Sequence, residues 1–496
     1  MRRVAIAVVA CAGCAQIWGF DETTGPTDTS TPMITVQWEL ASIGATVVRE
    51  PADLSAQTAT FLIADPAEPN GFRRVPATLS ASKDTWSAEI PEGTSASLEY
   101  TLPGTPAFRR LVAFPSRSLL LTANVYKQGV DAPTGGTLAV SLKLPSGYAS
   151  GQGFQLYAVG PWVVHGFAAT ELPGVDIGAT QITTSIAYDT VHFPSLIGAR
   201  PLPQLTAQDQ LVALRYSGAV LSAAAIIPPF DQTGGSNPVT GTLQAMTLAP
   251  LDVKVDPPAV ATRLAGTSPA NVSLSMAWSV VAAPGWQRAN NAGPALNSSG
   301  IAATDPGMIT AQYGNPFTSL GWNSIFTWAA AKSRSYTVPS LMLPVTPTSG
   351  MVQQAEPSAG LRLDQPAGLP VLVSLNRMPL NSDGLVMTLD LTKPVELTVA
   401  ADRTTNTYYQ WNVYELVPNT AMPPSALEYK IVYVAQATET SVTIPHDVFT
   451  AGKVYTIRAH AISGGFPGAA TGDYQTRALP FAIAYLDSGV FTVMAQ

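Results

Sequence analysis

Val448-Phe449-Thr450-Ala451-Gly452-Lys453-Val454-Tyr455-Thr456-Ile457-Arg458-Ala459-His460-Ala461 decides the fold class. From Tyr455 onward, Tyr455, Ile457, Ala459 and Ala461 take alternate positions, with Thr456, Arg458 and His460 between them. A period of two sends neighbouring side chains to opposite faces, which makes this a strand with one buried side. The bland reading of His460 beside Arg458 is a solvated sheet face. The pattern recurs outward along the chain. Tyr409, Trp411 and Val413 share a face opposite Gln410, Asn412 and Tyr414, and Trp86, Ala88 and Ile90 share another. The 42 prolines and 39 glycines interrupt the chain too often for long helices. Short strands between frequent turns predict an all-β protein of tandem β-sandwich modules.

The C-terminal segment resembles a fibronectin type III domain. Val448 to Ala461 matches that family's E–F corner and strand F, where a glycine turn precedes a tyrosine opening an alternating strand. The resemblance implies that Tyr455 fills the tyrosine-corner position, ring in the core and hydroxyl bonded to nearby backbone. Tyr429 to Tyr433 and Gly489 to Val493 suit flanking strands. One departure is plain. The family usually ends its second strand with tryptophan, and here that region reads Val399-Ala400-Ala401, with Trp411 on the following strand. The sandwich is therefore expected to be immunoglobulin- or fibronectin-like.

A faint internal echo sets the organisation. Gly241 to Leu248 leads into Pro250 to Val255, and Gly384 to Leu389 leads into Pro394 to Val399, with Gly136 to Leu142 as a third copy. Each copy reads as a last strand handing over to the next module. The expected units are a signal segment 1–13, a tether 14–32, and β modules over 33–126, 127–250, 251–382 (with long loops) and 383–496, the last fibronectin type III-like. Each module is close to the usual domain size.

The N-terminus speaks to location. Met1-Arg2-Arg3 is basic, Val4 to Ala12 is apolar, and Ala12-Gly13-Cys14 closes the run. These are the parts of an export signal. A cysteine just after the small residues makes the segment resemble a bacterial lipoprotein signal, or lipobox. The resemblance implies a cut before cysteine and lipid on its sulfur, with Cys14 the expected site and Cys11 the alternative. Several acyl chains anchor stably where one holds only reversibly. Ala15, rather than Asp, follows Cys14, which in proteobacteria implies sorting to the outer membrane. The expected partner is the membrane through this lipid, at the cell surface or on the periplasmic side. Cys11 and Cys14 are formally C-x-x-C, but they lie in the export segment with no second ligand pair, so metal or redox chemistry is not expected there. They are the only two cysteines, so stability must come from packed cores rather than disulfides.

Composition excludes several classes. Charged residues are 12% of the chain, against the usual quarter, while 46% are hydrophobic. The net charge of −7 is neither basic nor clustered enough to track phosphates, so nucleic acid is not an expected partner. The longest apolar stretch, Leu211 to Phe230, contains Arg215 and ends in Pro228-Pro229. It does not make a spanning helix. An outer-membrane barrel fits poorly with so much proline and an ending of Met494-Ala495-Gln496.

Catalytic signatures are lacking: there is no nucleophile elbow, zinc-protease helix, P-loop or dinucleotide fingerprint. Asp189, His192 and Ser195 lie near one another, but triads are assembled in space. Asn381-Ser382-Asp383-Gly384 resembles part of a calcium loop without its later ligands, and reads as a turn. No metal or cofactor is expected. The least bland stretch is Ala283 to Asn291, with Trp286, Arg288 and Asn290, together with a second loop carrying Tyr313 and Trp322. Aromatic faces beside amide and guanidinium donors suit a glycan or protein ligand. The competing reading folds Trp286 and Trp322 under their loops as core plugs. The expected function is adhesion, scaffolding or ligand binding without catalysis. The alternative is a secreted carbohydrate hydrolase, which needs two facing carboxylates.

Overall fold

The computed structural model describes residues 32–496 except 44–46, 66, 69–70, 93, 95, 103–107, 115–116, 126–130, 160–162, 169–175, 189–203, 270–272, 284–293, 359, 364–366, 405, 420–422 and 475–477. Among the described residues the chain is strand throughout, with one α-helix. In chain order, a first group comprises β1 (Met33–Ile43), β2 (Val47–Pro51), β3 (Ala59–Ala64), β4 (Phe72–Pro76), β5 (Thr78–Leu79), β6 (Thr85–Glu89), β7 (Ala96–Leu102), β8 (Phe108–Phe114) and β9 (Ser118–Val125). A second comprises β10 (Thr137–Lys143), β11 (Gln152–Ala158), β12 (Val163–Ala168), β13 (Gln181–Ala187), β14 (Leu211–Ser217), β15 (Val220–Ile227), β16 (Ser236–Thr242) and β17 (Gln244–Ala245). The third has β18 (Ala249–Lys254), α1 (Pro257–Ala265), β19 (Ser273–Ala283), β20 (Ala295–Gly300), β21 (Met308–Tyr313), β22 (Asn323–Ser333), β23 (Tyr336–Val338), β24 (Leu343–Val345), β25 (Thr348–Ala355) and β26 (Leu361–Arg362). The fourth has β27 (Pro370–Leu375), β28 (Met378–Pro379), β29 (Leu385–Leu389), β30 (Val395–Ala401), β31 (Tyr408–Pro418), β32 (Leu427–Ala437), β33 (Ser441–Ile444), β34 (Val454–Gly464), β35 (Phe481–Asp487) and β36 (Phe491–Ala495).

These strands build tandem β-sandwiches, each around its own core, as their alternation dictates. In β10, for example, Leu138, Val140 and Leu142 are buried while their neighbours are not. A common closure recurs. An early strand of each group pairs in parallel with its last, or in the second group its last but one: β1 with β9, β10 with β16, β18 with β26, and β29 with β36. The α-helix is explained locally. Asp256 caps it by accepting from the Ala259 N–H, Pro257 starts it and Gly266 ends it.

The Leu211 to Phe230 stretch finds its place here. β14 and β15 lie in a sheet buried on both faces. Leu211 and Ala213 face the second core, while Val212 and Leu214 join the third. A strand covered on both sides has no reason to alternate.

The sandwiches are not beads on a string. One sheet runs β20-β19-β22-β25-β35-β34-β31-β32-β8-β7-β3-β4 through three of the four groups. It crosses from third to fourth where β25 pairs β35, and from fourth to first where β32 pairs β8 in parallel. Apart from bulges at Val280–Val281 and Val413–Tyr414, the register carries straight across. Ser275, Ala331, Gly350, Tyr485, His460, Gln410, Gln436, Val112, Leu98, Phe61 and Val75 form one row across the strands.

Candidate functional site: a polar trough on the shared sheet

In the fourth sandwich, Tyr409, Trp411 and Val413 of β31 and Tyr455, Ile457, Ala459 and Ala461 of β34 point into the core. Their alternation sends Gln410, Asn412, Arg458 and His460 to the other face of the shared sheet. At one end of that face, Tyr408 and Ile462 join the first sandwich's core together with Phe466, Ala469 and Tyr474 from the β34–β35 connection. At the other end the β23–β24 hairpin lays Val338 and Val345 against Leu416, Val454 and Val490. Two apolar walls therefore flank a polar floor, where Gln410, Arg458, His460 and Tyr485 remain half-buried.

The floor is a directed hydrogen-bond chain. The Gln436 amide nitrogen donates to Gln410 Oε1 at 3.0 Å, Gln410 Nε2 to Asn412 Oδ1 at 2.8 Å, and Asn412 Nδ2 to the Tyr414 hydroxyl at 3.0 Å. Asn412 Nδ2 also lies 3.4 Å from His460 Nε2, which accepts when the ring proton sits on Nδ1. Burial, and secondarily the Arg458 charge, push the His460 pKa down to about 3, so the ring is neutral at ordinary pH. Gln436 is 3% exposed, and its buried Oε1 has no donor among the described residues.

The cation on the floor is neutralised within it. Arg458 Nε and Nη2 donate to the two oxygens of Asp487 at 2.6 and 2.8 Å, and Nη2 reaches Thr348 Oγ1 at 3.0 Å. The guanidinium also lies 5.2–5.9 Å from the ring centres of Tyr485, Tyr414 and Tyr429. Tyr485 lies across Gly350, where a Cβ would come within 2.6 Å of the tyrosine hydroxyl oxygen. Glycine there lets the ring lie close to the sheet. Beside the floor, Arg334 makes two bonds to Asp383, at 2.9 and 3.0 Å, and one to the Ser488 carbonyl. Asp383 also accepts from the Val490 N–H, which commits this carboxylate of the Asn381–Gly384 turn to protein partners.

Two of the residues expected from sequence, Trp322 and Tyr313, sit elsewhere. Trp322 is 2% exposed. It stacks on Phe317 at 5.1 Å and meets Tyr157 of the second sandwich edge-on at 5.8 Å, so its ring is spent on the junction of two cores. Tyr313 ends β21 half-buried against the third core, and burial raises its pKa. Trp286, Arg288, Asn290, Cys11, Cys14, Asp189, His192 and Ser195 lie outside the described residues. Among the described residues no three His, Cys, Asp or Glu side chains gather as metal ligands.

No family model matches the chain, and no curated protein matches it. Among solved structures, an Escherichia coli alpha-2-macroglobulin activated by porcine elastase aligns over 93% of this chain at 9% identity and a TM-score of 0.15. A trypsin-activated alpha-2-macroglobulin from the same organism aligns over 88% at 8% identity and a TM-score of 0.13. The chain spans 44% and 28% of those two proteins, and likeness at this level carries no argument about fold or function.

Proposed function

We propose that this chain is an exported, lipid-anchored protein of the outer membrane or cell surface whose β-sandwiches form a rigid ligand-binding scaffold. The observation that carries the reading is the continuous sheet, which binds three sandwiches into one body and holds a polar floor between two apolar walls. Binding sites work when their side chains are held by a rigid frame. The anchor rests on the N-terminal sequence, with Cys14 acylated and Cys11 as the alternative.

Metabolic palmitate labelling with membrane fractionation tests the anchor. The wild type should carry label and sediment with membranes. Cys14→Ala should lose both, and a Cys11→Ala/Cys14→Ala double variant should be released in any case. Label retained by the double variant defeats the anchor.

A further inference from the structure

We propose that the trough floor, from Tyr485 across His460 and Gln410 to Gln436, binds an uncharged oligosaccharide lying across the strands. The inference rests on the ligand-binding reading above and names its ligand class.

Strand pairing comes first. An extended peptide is ordinarily captured by adding to a free sheet edge through its backbone. Here β35, β34, β31 and β32 are each paired on both sides, so the floor has no free main-chain groups to offer. Recognition must come from side chains.

Those side chains suit hydroxyl groups. Gln410, Gln436 and Asn412 are amides, able to donate and accept at once. Arg458 is paired with Asp487, and between β35 and β32 no described side chain on this face carries an unpaired charge. The neutral imidazole of His460 agrees with this. Gln436 Oε1 is a buried acceptor lacking a donor, which costs stability until something donates to it. A ligand hydroxyl entering beside the half-buried Gln410 amide supplies that donor. The half-buried Tyr485 ring gives the apolar face on which a sugar ring rests. Three strand spacings separate Tyr485 from Gln436, about 14 Å, which is room for a short oligosaccharide rather than one sugar.

The test uses the full-length, detergent-solubilised protein on an array of neutral oligosaccharides, with calorimetry on the best binder. At least one should bind. Gln410→Glu, nearly isosteric but charged, should weaken binding about tenfold, as should Tyr485→Ala, with thermal melts retained. Should Tyr485→Ala fail to fold, Gln410→Glu carries the test. Ile177→Ala, exposed on the second sandwich, should leave the affinity unchanged. No binding of any neutral saccharide, affinity indifferent to Gln410→Glu, or exclusive binding of acidic sugars or peptides would each overturn the inference. Palmitate labelling is read independently: lost label with retained sugar binding strikes only the anchor, and lost sugar binding with retained label strikes only the trough.

Discussion

Arg458 holds Asp487 by two hydrogen bonds, and the carboxylate has 0% exposure. Asp487 also accepts from the Thr348 N–H at 2.8 Å, so one carboxylate ties β34, β35 and β25 together where the third and fourth sandwiches share their sheet. Removing one partner of a buried ion pair strands the other charge in a poor medium. Arg458→Ala should therefore cost about 3–5 kcal/mol in urea melts. A replacement by Met, which keeps the packing but not the charge, should still leave Asp487 uncompensated and cost nearly as much. Equal stability of wild type and Arg458→Ala would remove this pair as the seam's main tie.

The seam between the first and fourth sandwiches makes a graded prediction. Glu99 is 6% exposed, accepts from the Tyr433 hydroxyl at 2.9 Å and pairs with Arg74 at 3.1 Å. Arg109 lies 3.7 Å from Glu99 and binds Asp447, whose side chain is 50% exposed. Solvent screens the outer pair but not the inner one. Glu99→Ala should cost about 3 kcal/mol, and Asp447→Ala under about 1 kcal/mol. The order of the two denaturation midpoints is the check, and its reversal would refute the ranking.

His460 should make the protein acid-sensitive. In the unfolded chain its ring takes up a proton below about pH 6.5, whereas in the folded protein it resists protonation until about 3. Between those values the unfolded state binds more protons, so the stabilisation from a neutral ring is complete above about pH 6.5 and drains away as pH falls toward 3. Asp84, held below the usual carboxylate range first by the Ser82 hydroxyl, loses its own contribution as pH falls through its lowered pKa, but equally in both proteins compared. Urea midpoints at pH 7 and pH 4 should fall further for wild type than for His460→Gln. Parallel losses would show that His460 is not the sensor.

How much of this was legible beforehand depends on which side of a strand is asked about. The Tyr455 face is written in its own segment, and the hydroxyl does accept a backbone N–H, from Thr450 at 3.0 Å. The opposite face, where His460 stands beside Arg458, read as solvated. Alternation separates two sides but does not say what covers each. Here the covering comes from far along the chain: the Tyr474 hydroxyl reaches the Ala113 carbonyl across 361 residues. A usable clue was the kind of polarity, since amides, an imidazole and tyrosines replace the lysines and glutamates of an open surface. Trp322 shows the reverse difficulty. A tryptophan in a Gly- and Asn-rich loop looks available until its neighbour, Tyr157, arrives from another sandwich.

The β8–β32 pairing carries a consequence for biogenesis. Strand β8 leaves the ribosome long before β32, and at ordinary elongation rates the gap is on the order of tens of seconds. Throughout that interval the early part of the chain presents a raw edge, and such edges recruit strangers. The first sandwich therefore keeps the β8 edge unpaired until β32 arrives. Chains cut short before β32 leave that edge open for good, and should aggregate more readily than the full chain when the two are compared by light scattering.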